Sequence, residues 1–138
     1  DVRVTDPYSI YDRFDFGIPV GSNGDCWDRY YVRVEEMRES IKIVEQAISN
    51  IPEGEISAKV RRIIRPPAGE VFVRTESPRG DLGVFLVSDG SDKPYRVKVR
   101  PPSFANLQAL EYMLQDTYVA DAVLVLGSID IIMGEVDR

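Results

Sequence analysis

Two acids, an arginine and one rigid turn are the places where this chain could do chemistry. The closing stretch, Ser128-Ile-Asp130-Ile-Ile132-Met-Gly-Glu135-Val-Asp-Arg138, sets Asp130, Glu135 and Arg138 among apolar residues. Asp130 lies between Ile129 and Ile131, so its carboxylate leaves water if the tail packs. A carboxylate taken out of water needs a cation or several donors, or it takes up a proton. Such a group can hold protons and pass them on. Glu135 and Arg138 are three apart, and a helical turn would pair them. The plainer meaning of the same spacing is a structural ion pair or a helix cap, and spacing alone favours it. The second place is Glu76-Ser-Pro-Arg79-Gly80. Proline fixes the backbone and glycine allows a positive φ, so Arg79 is held at a tight turn. A rigid arginine beside a cleft suits anchoring an anion or polarising a carbonyl. Ordinary surface hairpins also use Pro-x-Gly.

Composition excludes several other chemistries. The chain has 138 residues, a net charge of −6, no histidine and one cysteine. Without histidine there is no zinc constellation of the usual kind and no histidine-based triad. Cys26 has no second cysteine for a disulfide and no visible base partner, so it reads as a packed or idle thiol. The acidic balance disfavours nucleic acid as a partner. The local cluster Lys59-Val-Arg-Arg-Ile-Ile-Arg65 reads as a solvated loop or edge strand. No glycine-rich loop of the kind that cradles ATP or a dinucleotide follows a strand. No apolar run reaches the ~20 residues of a spanning helix, and the start does not read as a signal peptide. A protein of this kind would serve a membrane from outside the bilayer.

The elements that must position these residues follow from periodicity. Residues 1–24 are rich in turns and irregular, and Tyr8, Tyr11, Phe14 and Phe16 need a surface, which could be one outside the chain. That points to a fragment of a longer protein. Residues 25–138 read as one domain. Trp27, Tyr30, Val34, Met37, Ile41, Val44 and Ile48 alternate by three and four, which predicts a helix over 25–50 with Asp25 as N-cap. The stripe reads as core or partner packing. Residues 70–75, 82–88 and 95–99 read as strands of an antiparallel three-stranded meander. On the third, Arg96, Lys98 and Arg100 share a face, either a solvated edge or a basic wall. Ser103 is placed to cap a helix over Phe104 to Leu114, and the apolar run 118–127 reads as a buried helix. The fold class is α+β: a long amphipathic helix, a small meander and C-terminal helices.

The tail is similar to a known metal-binding terminus without its ligands. The large subunit of nickel–iron hydrogenases closes on Asp-Pro-Cys-x-x-Cys-x-x-Arg. Asp130 fits the leading acid, Arg138 the closing arginine, and Ile132 and Glu135 stand where the cysteines would be. Isoleucine and a carboxylate cannot replace a thiolate pair as ligands of a soft metal. Further segments agree in order: Pro19-Val-Gly-Ser-Asn-Gly-Asp-Cys-Trp-Asp-Arg-Tyr30, Arg33-Val-Glu-Glu-Met-Arg-Glu-Ser40, Glu76-Ser-Pro-Arg-Gly-Asp-Leu-Gly83, Pro94-Tyr-Arg-Val-Lys-Val-Arg100 and Ser103-Phe-Ala-Asn-Leu-Gln-Ala-Leu110. Together they resemble the C-terminal third of the hydrogenase-like 49-kDa subunit of respiratory complex I, the NADH-quinone oxidoreductase.

That resemblance implies a fold like the nickel–iron hydrogenase large subunit, with no metal. It implies a quinone cavity at the interface with a small iron–sulfur subunit that carries a [4Fe–4S] cluster, and neither cluster nor dinucleotide in this chain. It places Asp130, Glu135 and Arg138 as proton-handling residues and Ile132 beside the cavity, with Arg79 near the former metal site. It implies the other peripheral-arm and membrane-arm subunits as partners, and NADH as the electron source of a proton-pumping complex. The location would be peripheral, on the cytoplasmic side of the cell membrane or the matrix side of a mitochondrial one. Archaeal relatives that pass electrons from reduced deazaflavin to a phenazine remain open. So does a docking module without catalysis.

Overall fold

The computed structural model describes residues 1–137. The order of elements is α1 (Val2–Thr5), a 3-10 turn (Tyr11–Arg13), α2 (Cys26–Ser49), β1 (Gly69–Ser77), β2 (Gly80–Ser88), β3 (Arg96–Arg100), α3 (Pro102–Leu107), α4 (Leu110–Met113), a 3-10 turn (Val119–Asp121), α5 (Ala122–Ile129) and α6 (Met133–Val136). This is the expected α+β architecture.

The start of α2 is fixed by its cap. The Asp25 carboxylate accepts the Asp28 N–H at 2.7 Å, as the sequence predicts. Asp28 in turn reaches back and accepts the backbone N–H groups of Asn23 and Gly24, the second at 3.2 Å. These donors hold the Asp28 carboxyl below the usual carboxylate range.

The opening segment packs within the chain rather than waiting for a surface outside it. Tyr8 and Tyr11 meet edge to face at 5.0 Å, and Tyr11 also stacks near Phe14 and Phe16. The Tyr8 hydroxyl accepts from the Thr75 hydroxyl and the Glu76 N–H, which fastens the cluster to β1. Asp15 exchanges two hydrogen bonds with Gln46, and the Gly17 N–H donates to Glu39 at 2.8 Å. Thus the segment lies on the polar side of α2.

The apolar stripe of α2 consequently points the other way. Trp27, Tyr30, Met37, Ile41, Val44 and Ile48 are all more than half exposed. Among the described residues the buried apolar side chains are few: Val2, Val125 and Ile129, with Pro101 and Pro102 at the start of α3. The chain exposes 11039 Å², whereas a compact monomer of its 15.6 kDa exposes roughly 7300 Å². Of the two readings of the stripe, core or partner packing, the second fits this geometry.

The meander runs β1-β2-β3, antiparallel throughout. Its first connection is a two-residue turn, Pro78-Arg79, with Ser77 opposite Gly80. Gly80 takes φ +122°, which a side chain would resist, and an added Cβ would touch Pro102. On β3 the basic face is a solvated edge, with Arg100 donating to the Asp81 carbonyl at 2.7 Å. The 59–65 cluster lies outside helices and strands and is exposed.

Two expectations for the C-terminal part need correction. The predicted helix over 104–114 is two short helices, because the N–H groups of Gln108 and Ala109 turn to carbonyls three residues back. Ser103 is not the cap. Pro102 opens α3 with Pro101 at the cap position, and the Ser103 hydroxyl is engaged elsewhere. The apolar run does form a helix, α5, and only its Val125, Ser128 and Ile129 are buried. Val123 and Leu124 face out.

In this chain, Ile129→Ala should lower unfolding free energy by about 2–3 kcal/mol, while Met37→Asp should stay within about 0.5 kcal/mol of the parent. Urea titration of both variants checks this; equal losses would mean that the α2 stripe is buried in the chain. For Asp28, a folded-state pKa below the unfolded one means stability present at neutral pH and lost as pH falls through the depressed value. A carbon-detected titration of its carboxyl should show a midpoint below that of Asp28 in the denatured chain.

Candidate functional site

α5 ends at a guanidinium pair. The last turn of any helix leaves carbonyls without helical partners. Here Arg33 of α2 donates to the Ser128 carbonyl, and Arg79 of the hairpin turn donates from Nε to the Asp130 carbonyl at 3.1 Å. Positive charge at a helix C-terminus is electrostatically favourable. Asp130 is the C-cap of α5 in a left-handed backbone conformation, φ 56° and ψ 51°. That turn aims the carboxylate back at Arg79, whose Nη2 lies 3.3 Å from Oδ1 and 3.2 Å from Oδ2.

The Arg79–Asp130 pair is partly open to water, with side-chain exposures of 26% and 45%. It lines a groove of about 1000 Å³ between α2, the hairpin turn and α4. Met37, Met113 and Ile129 give the groove apolar wall, and Arg33 and Glu36 further charge. Tyr11 also borders it; burial, then the neighbouring Tyr8 hydroxyl, raises its phenol above the usual value. The phenol therefore keeps its proton at neutral pH. A groove with an apolar wall, a fixed cation and a carboxylate at one end can seat a planar polar headgroup and polarise its oxygen.

Sequence-predicted residues divide into three groups. Arg79 and Asp130 come together, and the ion pair and helix cap foreseen as the plainer meaning of Asp130 are both present. Ile132 and Glu135 do not line the groove. Ile132 is partly exposed, and its N–H donates to the Ser103 hydroxyl at 3.2 Å. Glu135 lies in the first turn of α6 and accepts from the Ser103 hydroxyl and N–H. Arg138, and with it the expected pairing to Glu135, lies outside the described residues.

Arg33, Ser103 and Asn106 were missed as contributors. Ser103 is fully buried, and Asn106 donates from Nδ2 to the Arg79 carbonyl at 3.0 Å. Arg33 belongs to a quoted segment of the resemblance, which was its only signal. Nothing in the spacing joins Ser103 to a residue thirty-two positions away. Arg79→Ala should cost about 1 kcal/mol, since an ion pair this exposed is discounted for solvent. It should also speed amide hydrogen exchange across 128–132, whereas unchanged exchange there would show that Arg79 does not hold the helix end.

Comparison with known proteins identifies the family of the chain. The family profile described as "Respiratory-chain NADH dehydrogenase, 49 Kd subunit" matches residues 1–68 and 58–138, which together span the chain. The D subunit of NADH-quinone oxidoreductase from Dehalococcoides mccartyi (strain ATCC BAA-2266 / KCTC 15142 / 195) is 58% identical over 138 residues, covering 100% of this chain and 38% of that protein. A D-type subunit of the same oxidoreductase from Solibacter usitatus is 54% identical over 100% of the chain and 37% of its own length. The corresponding D subunit of Bacillus anthracis is 56% identical over 99% of the chain and 38% of its own length. The chain thus spans less than two fifths of the length of these curated relatives. With both matches of the family profile and identities above half along its whole length, the chain belongs to the 49-kDa subunit family of the respiratory-chain NADH dehydrogenase.

Proposed function

We propose that the chain is the C-terminal part of the 49-kDa-type subunit of an NADH-quinone oxidoreductase, and that the Arg79–Asp130 end of its groove forms wall of the quinone-reduction cavity. The observation that carries this is the pairing of a turn-held arginine with a helix-capping acid at the edge of an apolar groove. The relatives named above carry NADH and quinone in their names, which favours these over a deazaflavin donor and a phenazine acceptor.

In this reading the chain's residues bind, orient and handle protons. Arg79, fixed by the turn and by Asn106, donates to a headgroup oxygen and stabilises charge that builds there on reduction. Asp130 holds that arginine in place and passes a proton to the reduced oxygen. Glu135, near the end of the tail, hands protons on toward Asp130, and Arg138, which keeps its own proton, balances the charge of that path. Ile132, which lies off the groove, adds apolar surface only where the cavity extends beyond it toward the partner. The small iron–sulfur partner would hold the [4Fe–4S] cluster, which would supply the two electrons one at a time, and two protons, one of them through Asp130, would complete the quinol. The subunit sits peripherally, on the cytoplasmic or matrix side, among the peripheral-arm and membrane-arm subunits of a proton-pumping complex. Among the described residues no helix is long and apolar enough to cross a membrane.

One observation favours a second reading, a docking module without catalytic residues. The α2 stripe and the excess of exposed area suit burial against other protein. The two readings separate on Asp130. In the assembled complex, Asp130→Asn should lower quinone reduction at least tenfold, with subunit content and the rate to a soluble one-electron acceptor unchanged. Quinone turnover at the parent rate would leave only the docking reading. Asn suits this test because it accepts the left-handed backbone at position 130.

A further inference from the structure

α3 bonds to the Arg79 turn on one side and, on the other, to the tail just beyond Asp130. Ser103 is fully buried. Its hydroxyl donates to Glu135 Oε2 and accepts the Ile132 N–H at 3.2 Å, and its own N–H donates to the same Glu135 oxygen at 3.3 Å. One buried oxygen thus joins α3 to two residues that follow Asp130 along the tail, Ile132 and the α6 acid. Asn106 lies three residues on, on the same face of the helix. Its Nδ2 donates to the Arg79 carbonyl at 3.0 Å. A single helical turn therefore grips the tail with one side chain and the hairpin turn with another. Pro102, first residue of α3, also lies close to Gly80, 3.6 Å from where a Cβ on that residue would stand.

We infer that Ser103 and Asn106 are positioning residues for quinone reduction, and that α3 is the gauge that sets the distance between the Arg79 guanidinium and the Asp130 carboxylate. The inference rests on the reading of the site given above. Removing the Ser103 hydroxyl takes from the Ile132 N–H its acceptor and from Glu135 one of two donors out of α3. The left-handed turn at Asp130 is then held from one side only. Misplacement of a reacting group by an ångström costs large factors in rate even when every reacting group remains.

The test uses the assembled complex with its full-length subunit. Ser103→Ala, Ser103→Thr and Asn106→Ala are made singly and in combination with Asp130→Asn. Quinone kcat and KM are measured, with ferricyanide as acceptor for electron flow ahead of the quinone step. Ser103→Ala should lower quinone kcat/KM about tenfold at an unchanged ferricyanide rate, and Ser103→Thr, which keeps the hydroxyl, should recover most of it. In the Asp130→Asn background Ser103→Ala should add nothing, because residues acting through one another are not additive. A loss that multiplies the Asp130→Asn loss, or no loss, overturns the inference. If Ser103→Ala lowers subunit content, the exposed Asn106 decides by the same criterion. A parent rate for Asp130→Asn alone would instead sink the site reading. The gauge is then judged by amide exchange at 130–133: acceleration in Ser103→Ala upholds it, and parent-like exchange overturns it.

Discussion

The constraint on which the site depends is the closure of the α5 C-terminus by two guanidinium groups from distant parts of the chain. Arg33 comes from the long helix and Arg79 from the hairpin turn, and each takes a carbonyl that the helix itself leaves without a partner. Because the donors belong to different elements, their bonds also fix how α2, the hairpin and α5 stand to one another. The carboxylate of Asp130 enters this arrangement second. It is aimed by the same left-handed turn that ends the helix. Removing the acid's charge therefore leaves the carbonyl bonds in place, while removing an arginine disturbs the scaffold as well.

Around that closure the chain is sparsely packed. Few apolar side chains are buried among the described residues, and the exposed area exceeds that of a compact monomer by roughly 3700 Å². An excess of that order matches the surfaces that permanent complexes bury rather than those of transient ones. The polar face of α2 is already in use, through Glu39 and Gln46, by the chain's own opening segment. The free face is the one whose sequence is most hydrophobic. This is the inverse of an autonomous domain, and it accords with a chain that spans only part of its relatives' length.

The local signals in the sequence were strong where one element decided the outcome. Asp25 as a cap, the period of α2 and the alternation of the three strands each rest on neighbours within a few positions, and each was legible. Pattern alone could say that the α2 stripe was apolar, but not whether anything in this chain covers it. Ser103 was misread for a physical reason. Serine before a helix caps it by default, and here a proline already opens the helix and the hydroxyl finds a carboxylate far along the chain. Arg79 and Asp130 were both singled out, yet their meeting is tertiary. Only the resemblance to a known family put the two in one neighbourhood beforehand.

The backbone at Asp130 acts as a filter on what the position can become. At φ 56° a β-branched or bulky side chain is strained, and glycine, asparagine and aspartate are the residues that enter the left-handed region readily. Of these three only aspartate carries a negative charge. Variation at this position is therefore screened first by torsion and only then by chemistry. Glutamate, the substitution that would keep the charge, is disfavoured before its carboxylate ever reaches the arginine. A saturation scan of position 130 would on this basis separate folded variants from the rest largely by conformational class, with function distributed among a very small set of survivors.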